Sequence, residues 1–341
     1  MLLTRRLATA GLVTAGFVPP ATAQVDDLYE AARREGSVTW YISQMTGEVA
    51  EMMGKRFAAR YPGIAVTAIR TTGQVSYARL QQELRNNTPQ CDVYSSTDIA
   101  QYMSLKARGA IARYDARNAG QLGPLFQGLG DPGFYYPTTA TLQVLACHAT
   151  AVKPEDRPTR FLDLTDPKWR GRVAVGHPAF SAYFAQWALL MTQKHGATFL
   201  EKLAANKPRI GRSGNDPIAT ITGGEAMIGT TPTSTAIQFI RKGNPIVFIY
   251  PEDGAVLTVG PAAVLSAAPH PNAARLFLEW LLSPDFAAAC AEVNIEPVRA
   301  DAPPLAGTKP LSQVALLSLR PDQMVKGLPE IVETWREIFG G

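Results

Sequence analysis

The sequence predicts an α/β protein built as two lobes, with central, largely parallel sheets flanked by helices and a two-strand hinge. Short strand-like runs alternate with helical patterns along the chain, the signature of βα units. Of the 341 residues, 318 remain once a 23-residue leader is set aside, more than a single core usually organises. Two breaks, the Gly/Pro-rich stretch 120–137 and the turn 250–254, cut out a middle segment. If the chain leaves one lobe at the first and returns at the second, two strands join the lobes and form a hinge. The expected division is a leader over 1–23, lobe 1 over 24–137 and 255–341, and lobe 2 inserted over 138–254.

Taken in order, the chain opens with Arg5 and Arg6, an apolar stretch from Leu7 to Val18, and Ala21-Thr22-Ala23 as an A-x-A cleavage site. That pattern is a secretory signal. Its apolar part is shorter than the ~20 residues that span a bilayer. Export by the general route or the twin-arginine route fits the Arg pair, and an extracytoplasmic, periplasmic product is expected. Strands are expected at Val38–Ile42, Ala65–Arg70, Asp92–Ser95, Leu142–Ala146, Val173–Val175, Ala226–Gly229 and Ile246–Ile249. Val49, Met52, Met53 and Phe57 form one helical stripe, and Phe180, Phe184, Trp187 and Met191 another. The most informative stretch is 254–283, GAVLTVGPAAVLSAAPHPNAARLFLEWLLS. An apolar run, Ala255 to Leu265, meets the Pro269-His270-Pro271 break. A helix then carries Ala273, Leu276, Phe277, Trp280 and Leu281 on one face. Pro271 suits its first position because a proline has no N–H to leave unpaired, and Pro284 ends it.

Bulk properties narrow the function. Formal charge is +4, or +2 once the two leader arginines are removed, with no basic block, so nucleic acid is not an expected partner. Cys91, Cys147 and Cys290 lie far apart in apolar contexts; three buried free thiols are expected, with a single disulfide left open.

In open α/β sheets, ligands sit beyond the carboxyl ends of the strands. The junctions found there are rich in hydroxyls: Ser43-Gln44-Met45-Thr46, Thr71-Thr72-Gly73-Gln74, Ser95-Ser96-Thr97, the loop from Gly176 through His177 to Ser181, Arg212-Ser213-Gly214, and Thr230-Thr231-Pro232-Thr233-Ser234. Each precedes a helix, whose N-terminus offers unpaired N–H groups to acceptor or anionic groups. The same residue types are ordinary N-caps, so the matching set in both halves carries the argument. Tyr135 and Tyr136 border the expected hinge, where aromatic rings either wall a ligand or pack; Tyr41 and Tyr183 read as core or cleft edge. Arg70 and Arg212 are donors for a carboxylate or phosphonate, or surface ion-pair partners.

Catalytic and metal patterns are poor. Gly128-Leu129-Gly130-Asp131-Pro132-Gly133 matches G-x-G-x-x-G but follows no strand, and Pro132 spoils the helix that should open there. His148, His177, His195 and His270 show no ligand spacing. No nucleophile, base and oxyanion set stands at a recognisable spacing, and no cofactor is called for.

EAARREGSVTWYIS, CDVYSSTD, FLDLTDPKWRGRVAVGHPA, ITGGEAMIGTTP and the 254–283 crossover together resemble the periplasmic solute-binding proteins of ABC importers. The resemblance is to the type 2 fold, in the branch with ferric-iron, 2-aminoethylphosphonate, thiamine and polyamine binders. It implies two α/β lobes that close on a solute and dock on an inner-membrane ABC permease, with no reaction catalysed and a monomer expected. Carried over by position, its contact loops fall at Ser43–Thr46, Gly73–Gln74, Ser95–Thr97, His177–Ser181 and Thr230–Ser234. The expected ligand-binding residues are therefore Ser43, Gln44, Thr46, Gly73, Gln74, Ser95, Ser96, Thr97, Tyr136, His177, Ser181, Thr230, Thr231 and Thr233. Ferric members carry two adjacent tyrosines after the strand matching Ala226–Gly229; here Thr230-Thr231-Pro232-Thr233 stands there. A small, polar, anionic organic solute is the expected cargo. The alternatives are a ferric-iron or metal-chelate carrier using Tyr135, Tyr136 or His177, and a secreted α/β hydrolase.

Overall fold

The computed structural model describes residues 21–214, 216–303 and 305–340. Residues 1–20 of the expected leader lie outside the described residues, and Ala21-Thr22-Ala23 begins α1 (Ala21–Glu35). From there β1 (Ser37–Ile42), α2 (Gly47–Arg60), β2 (Ala65–Arg70), α3 (Gly73–Asn86), β3 (Val93–Ser95) and α4 (Ile99–Ala107) alternate. β1 pairs parallel with β2 and with β3. A long β4 (Tyr136–His148) follows, then β5 (Val173–Gly176), α5 (Ala182–His195), α6 (Thr198–Ala205), β6 (Arg209–Gly211) and α7 (Asp216–Thr222). Next come β7 (Ile228–Pro232), α8 (Thr233–Arg241), β8 (Ile246–Ile249) and the second long strand, β9 (Ala255–Val264). The chain ends with α9 (Pro271–Leu281), α10 (Pro284–Glu292), β10 (Glu296–Pro297), β11 (Leu316–Leu317) and α11 (Pro321–Phe339).

The hydrogen-bonded order is β2-β1-β3-β9-β4-β7-β5-β6. Its flanks are parallel, because each flanking pair is joined by a helical crossover. Its centre is antiparallel: β3 with β9, β9 with β4, and β4 with β7. Residues Tyr136 to Gln143 of β4 pair with β9, while Gln143 to Cys147 pair with β7. These two buried strands therefore carry the chain from one flank to the other. α11 packs against α5 and α6 on one side and α4 on the other.

Local sequence explains most boundaries. Thr46 caps α2 by accepting from Val49 N–H, and Ser181 caps α5 by accepting from Phe184 N–H. The α9 stripe is buried throughout, and Pro271 occupies its first turn. Trp40, Phe57, Phe277 and Trp280 meet with ring centroids 4.9–5.7 Å apart, a spacing typical of edge and offset aromatic pairs. On the other flank, Trp187 lies between Phe161, Phe184 and Phe199.

Three expectations shift. β4 runs well beyond Leu142–Ala146, since its apolar residues are covered on both faces. β7 begins at Ile228, two residues late, because Gly224 turns at φ +76° and Met227 and Ile228 both donate to the Arg172 carbonyl. Phe180 is 42% exposed and precedes α5, so it belongs to a loop and not to the helical stripe. All three cysteines are buried and unpaired.

Candidate functional site

The carboxyl ends of the flanking strands converge on two adjoining cavities. The first is a cleft of about 420 Å³, part of it open to solvent. On one side stand Ser43 after β1, Arg70 and Thr72 at the end of β2, Gly73 and Gln74 in the first turn of α3, and Thr97 after β3. Facing them are Phe180 to Tyr183 at the start of α5, with Ser213 and Gly214 after β6. The second cavity, about 380 Å³, shares Ser43 and Tyr183. It lies between Gln44, Met45 and Thr46 on one side and Pro232, Ser234, Thr235 and Gln238 on the other. Tyr183 divides them, its hydroxyl 3.5 Å from the Gln44 carbonyl.

The helix starts at this cleft carry no acidic first-turn residue in α3, α5 or α8, so their partial positive charge is not offset locally. No aspartate or glutamate stands among the described lining residues of either cavity. Arg70 supplies a full positive charge and is anchored by its Nε, which donates to Met45 O at 3.0 Å. Burial pushes the Tyr183 phenol far above its ordinary range, against the opposing pull of the Arg70 guanidinium, so it stays a neutral hydroxyl. Ser43 Oγ, Thr72 Oγ1, Gln74 Oε1 and both amide atoms of Gln44 are buried with no hydrogen-bond partner in the protein. Thr72 is the N-cap of α3 yet makes no side-chain cap bond. Close approach shapes the site as well: a Cβ at Gly73 would stand 3.0 Å from Ser96 Oγ, and one at Gly260 2.6 Å from Gln44 Nε2.

Of the residues expected from sequence, Ser43, Gln44, Thr46, Gly73, Gln74, Thr97 and Ser181 line the two cavities. The others do not. Ser95 accepts from Trp40 Nε1, and Ser96 donates to Gln101 Oε1 beneath the loop. Thr230 accepts from Gln143 Nε2, and Thr233 meets Thr141. Thr231 is fully buried with an unpartnered hydroxyl. The Tyr136 hydroxyl is occupied by the N–H groups of Ala116 and Gly133 and by the Tyr114 carbonyl. His177 accepts from Ala179 N–H and packs edge-on against Trp335 of α11. Arg70, Thr72, Tyr183 and Ser213, which the sequence left open between site and surface, cap or core roles, also line the site. Their signal was position, since Arg70 ends a parallel strand and Tyr183 lies one turn into a helix that starts at the cleft.

One arrangement escaped sequence reading because its members lie far apart. Ser37 Oγ is 3.1 Å from His270 Nε2, and His270 Nδ1 is 2.9 Å from Asp92 Oδ2. This spacing imitates a hydrolytic triad. It stands at the amino ends of β1 and β3, away from both cavities. Asp92 also accepts from the N–H groups of Thr39 and His270, and Glu35 takes those of Asn272 and Ala273. The donors that would form an oxyanion hole at the start of α9 are thus occupied, and the group fastens that helix to the sheet.

Residues 90–315 match the family described as bacterial extracellular solute-binding protein, and the chain belongs to that family. An uncharacterised protein of Haemophilus influenzae is 25% identical over 262 residues, covering 74% of this chain and 75% of that one. Among solved structures, the periplasmic binding protein AfuA of Actinobacillus pleuropneumoniae, with exogenous fructose-6-phosphate bound, superposes with a TM-score of 0.79. It is 20% identical and covers 89% of this chain and 98% of its own. Iron-bound HitA of Pseudomonas aeruginosa gives a TM-score of 0.75 at 21% identity, covering 89% and 99%. The fold is that of the type 2 periplasmic binding proteins, and the family and its neighbours are binding proteins.

Proposed function

We propose that this extracellular solute-binding protein is the periplasmic component of an ABC importer that captures a small, polar, anionic organic solute. The carrying observation is the first cavity: a guanidinium, uncapped or hydroxyl-capped helix starts and unpartnered buried hydroxyls, with no carboxylate among its described lining residues. A buried polar group without a partner costs roughly 1–3 kcal/mol, and acceptor oxygens of a solute would relieve that cost at Ser43 and Thr72. Arg70 would neutralise the acid group, while Gln44, Gln74 and Phe180 meet the remainder.

In this reading residues 24–137 and 255–341 form one lobe and 138–254 the other, with β4 and β9 as the hinge and α11 laid across both. Residues 1–23 are the cleaved signal, and the product acts as a monomer that delivers its solute to an inner-membrane permease. A ligand touching both lobes binds the closed state better and shifts the population toward it; a near-complete switch needs roughly 5.5 kcal/mol of preference. A ferric site draws no support from Tyr136, whose hydroxyl is already engaged, or from His177, whose Nδ1 accepts from Ala179 N–H and whose ring packs against Trp335.

The deciding experiment is a thermal-shift screen over organic acids, phosphate esters, phosphonates, polyols, amines and ferric citrate. At 100 Kd a solute that binds only the native state adds about 2.7 kcal/mol. Hits among anionic organic solutes support the reading; stabilisation by ferric citrate or amines alone overturns it.

A further inference from the structure

Behind the first cavity a buried amide ties its two sides together. Gln186, one turn beyond Tyr183 on α5, is 1% exposed. Its Nε2 donates to the Thr97 carbonyl at 3.2 Å, and its Oε1 accepts from Thr258 Oγ1 on β9 at 3.4 Å. Thr97 and the first turn of α5 both line that cavity, on opposite sides.

We propose that Gln186 is a positioning residue for solute capture: by fastening α5 to the Thr97 loop, it holds the two sides of the cleft at binding distance before a solute arrives. This rests on the proposal that the cleft closes about a solute. A buried amide is tolerated when both of its ends are paired. Here both ends are paired only while α5 faces the Thr97 loop, and opening hands the Nε2 donor to water. Such an exchange of one protein hydrogen bond for one to water leaves a small net preference, enough to shift a two-state population roughly tenfold. Apparent affinity falls with the fraction of molecules already competent to bind. Loss of Gln186 therefore weakens every solute by the same factor, whatever its chemistry, whereas loss of a cavity-lining group discriminates between solutes.

The test needs no solute. Spin labels at Gln82→Cys on α3 and Lys202→Cys on α6 report the distance between the two sides, because Cys91, Cys147 and Cys290 are buried and leave the introduced thiols as the reactive ones. The ligand-free parent is expected to show a populated short distance. Gln186→Met, equal in shape but without hydrogen bonds, lowers the short-to-long ratio about tenfold. Gln186→Leu, which likewise has no donor for Thr97, follows Met and guards against a variant that merely misfolds. A parent-like distribution in either folded variant, or a parent with only the long distance, overturns the proposal. A parent whose distribution ignores every hit from the thermal screen counts instead against closure on a solute.

Discussion

Arg70→Met tests the charge logic of the cleft most directly. The side chain ends β2, its Nε is held by the Met45 carbonyl, and its remaining donors are free to meet an acid group. A hydrogen bond to a charged group contributes roughly 1.5–3 kcal/mol, which is about 10- to 150-fold in Kd. Because Arg70 is exposed to solvent, screening favours the lower end, about 10- to 30-fold. At a concentration of 100 Kd for the parent, a tenfold loss leaves about 1.4 kcal/mol of the original ~2.7 kcal/mol of stabilisation. Calorimetric titration with an anionic hit measures this, and the gap should narrow in high salt as the Debye length contracts. Arg70→Lys keeps the charge and loses the planar fork, so it should fall between the two. Equal affinity in Arg70→Met and the parent, or a cationic natural solute, would refute the reasoning.

Burial pushes the Glu296 carboxyl up from 4.5 to about 7. A raised acid pKa means the native state holds the proton more tightly, so stability falls as pH climbs through 4.5 to 7 and the cost is complete above that window. In urea unfolding, Glu296→Gln should exceed the parent by about 1–3 kcal/mol at pH 8 and match it at pH 4.5; a constant offset at both would contradict this. Gly229→Ala would set a Cβ 2.2 Å from the Ala174 carbonyl oxygen, inside the paired β5–β7 ladder. Overpacking there should cost about 3 kcal/mol, read as a lower urea midpoint, and a loss below about 1 kcal/mol would show that the strands slide apart cheaply. Ser37 should resist a fluorophosphonate probe, since its neighbouring amides are occupied; labelling abolished by His270→Ala would revive the hydrolase alternative.

Most strand and helix positions could be read from periodicity and caps: Ala65–Arg70 and Ile246–Ile249 coincide with β2 and β8, and Thr46, Ser181 and Pro271 mark three helix starts. Such signals are local, resting on side chains within one turn or one pleat of each other. Ser95 and Ser96 show the limit. Their hydroxyls look like those of Ser43, yet Trp40 and Gln101 consume them from below. Whether a hydroxyl faces a solute or the core depends on partners many residues away. Arg70 shows the converse, because an arginine ending a strand reads as surface, and only the fold sets it beside the start of α5 and the turn at Ser213 and Gly214.

By itself the sequence determined most of the strands and helices, the crossover at 254–283, and the hydroxyl-rich character of the loops at the strands' carboxyl ends, since all of these follow from spacing along the chain. Tertiary structure alone decided that β4 and β9 form an antiparallel centre, that Tyr183 meets Gln44 across the cleft, and which polar atoms are left unpaired. Those outcomes depend on contacts between residues remote in sequence, where each donor is claimed by whichever acceptor the packed chain brings within reach.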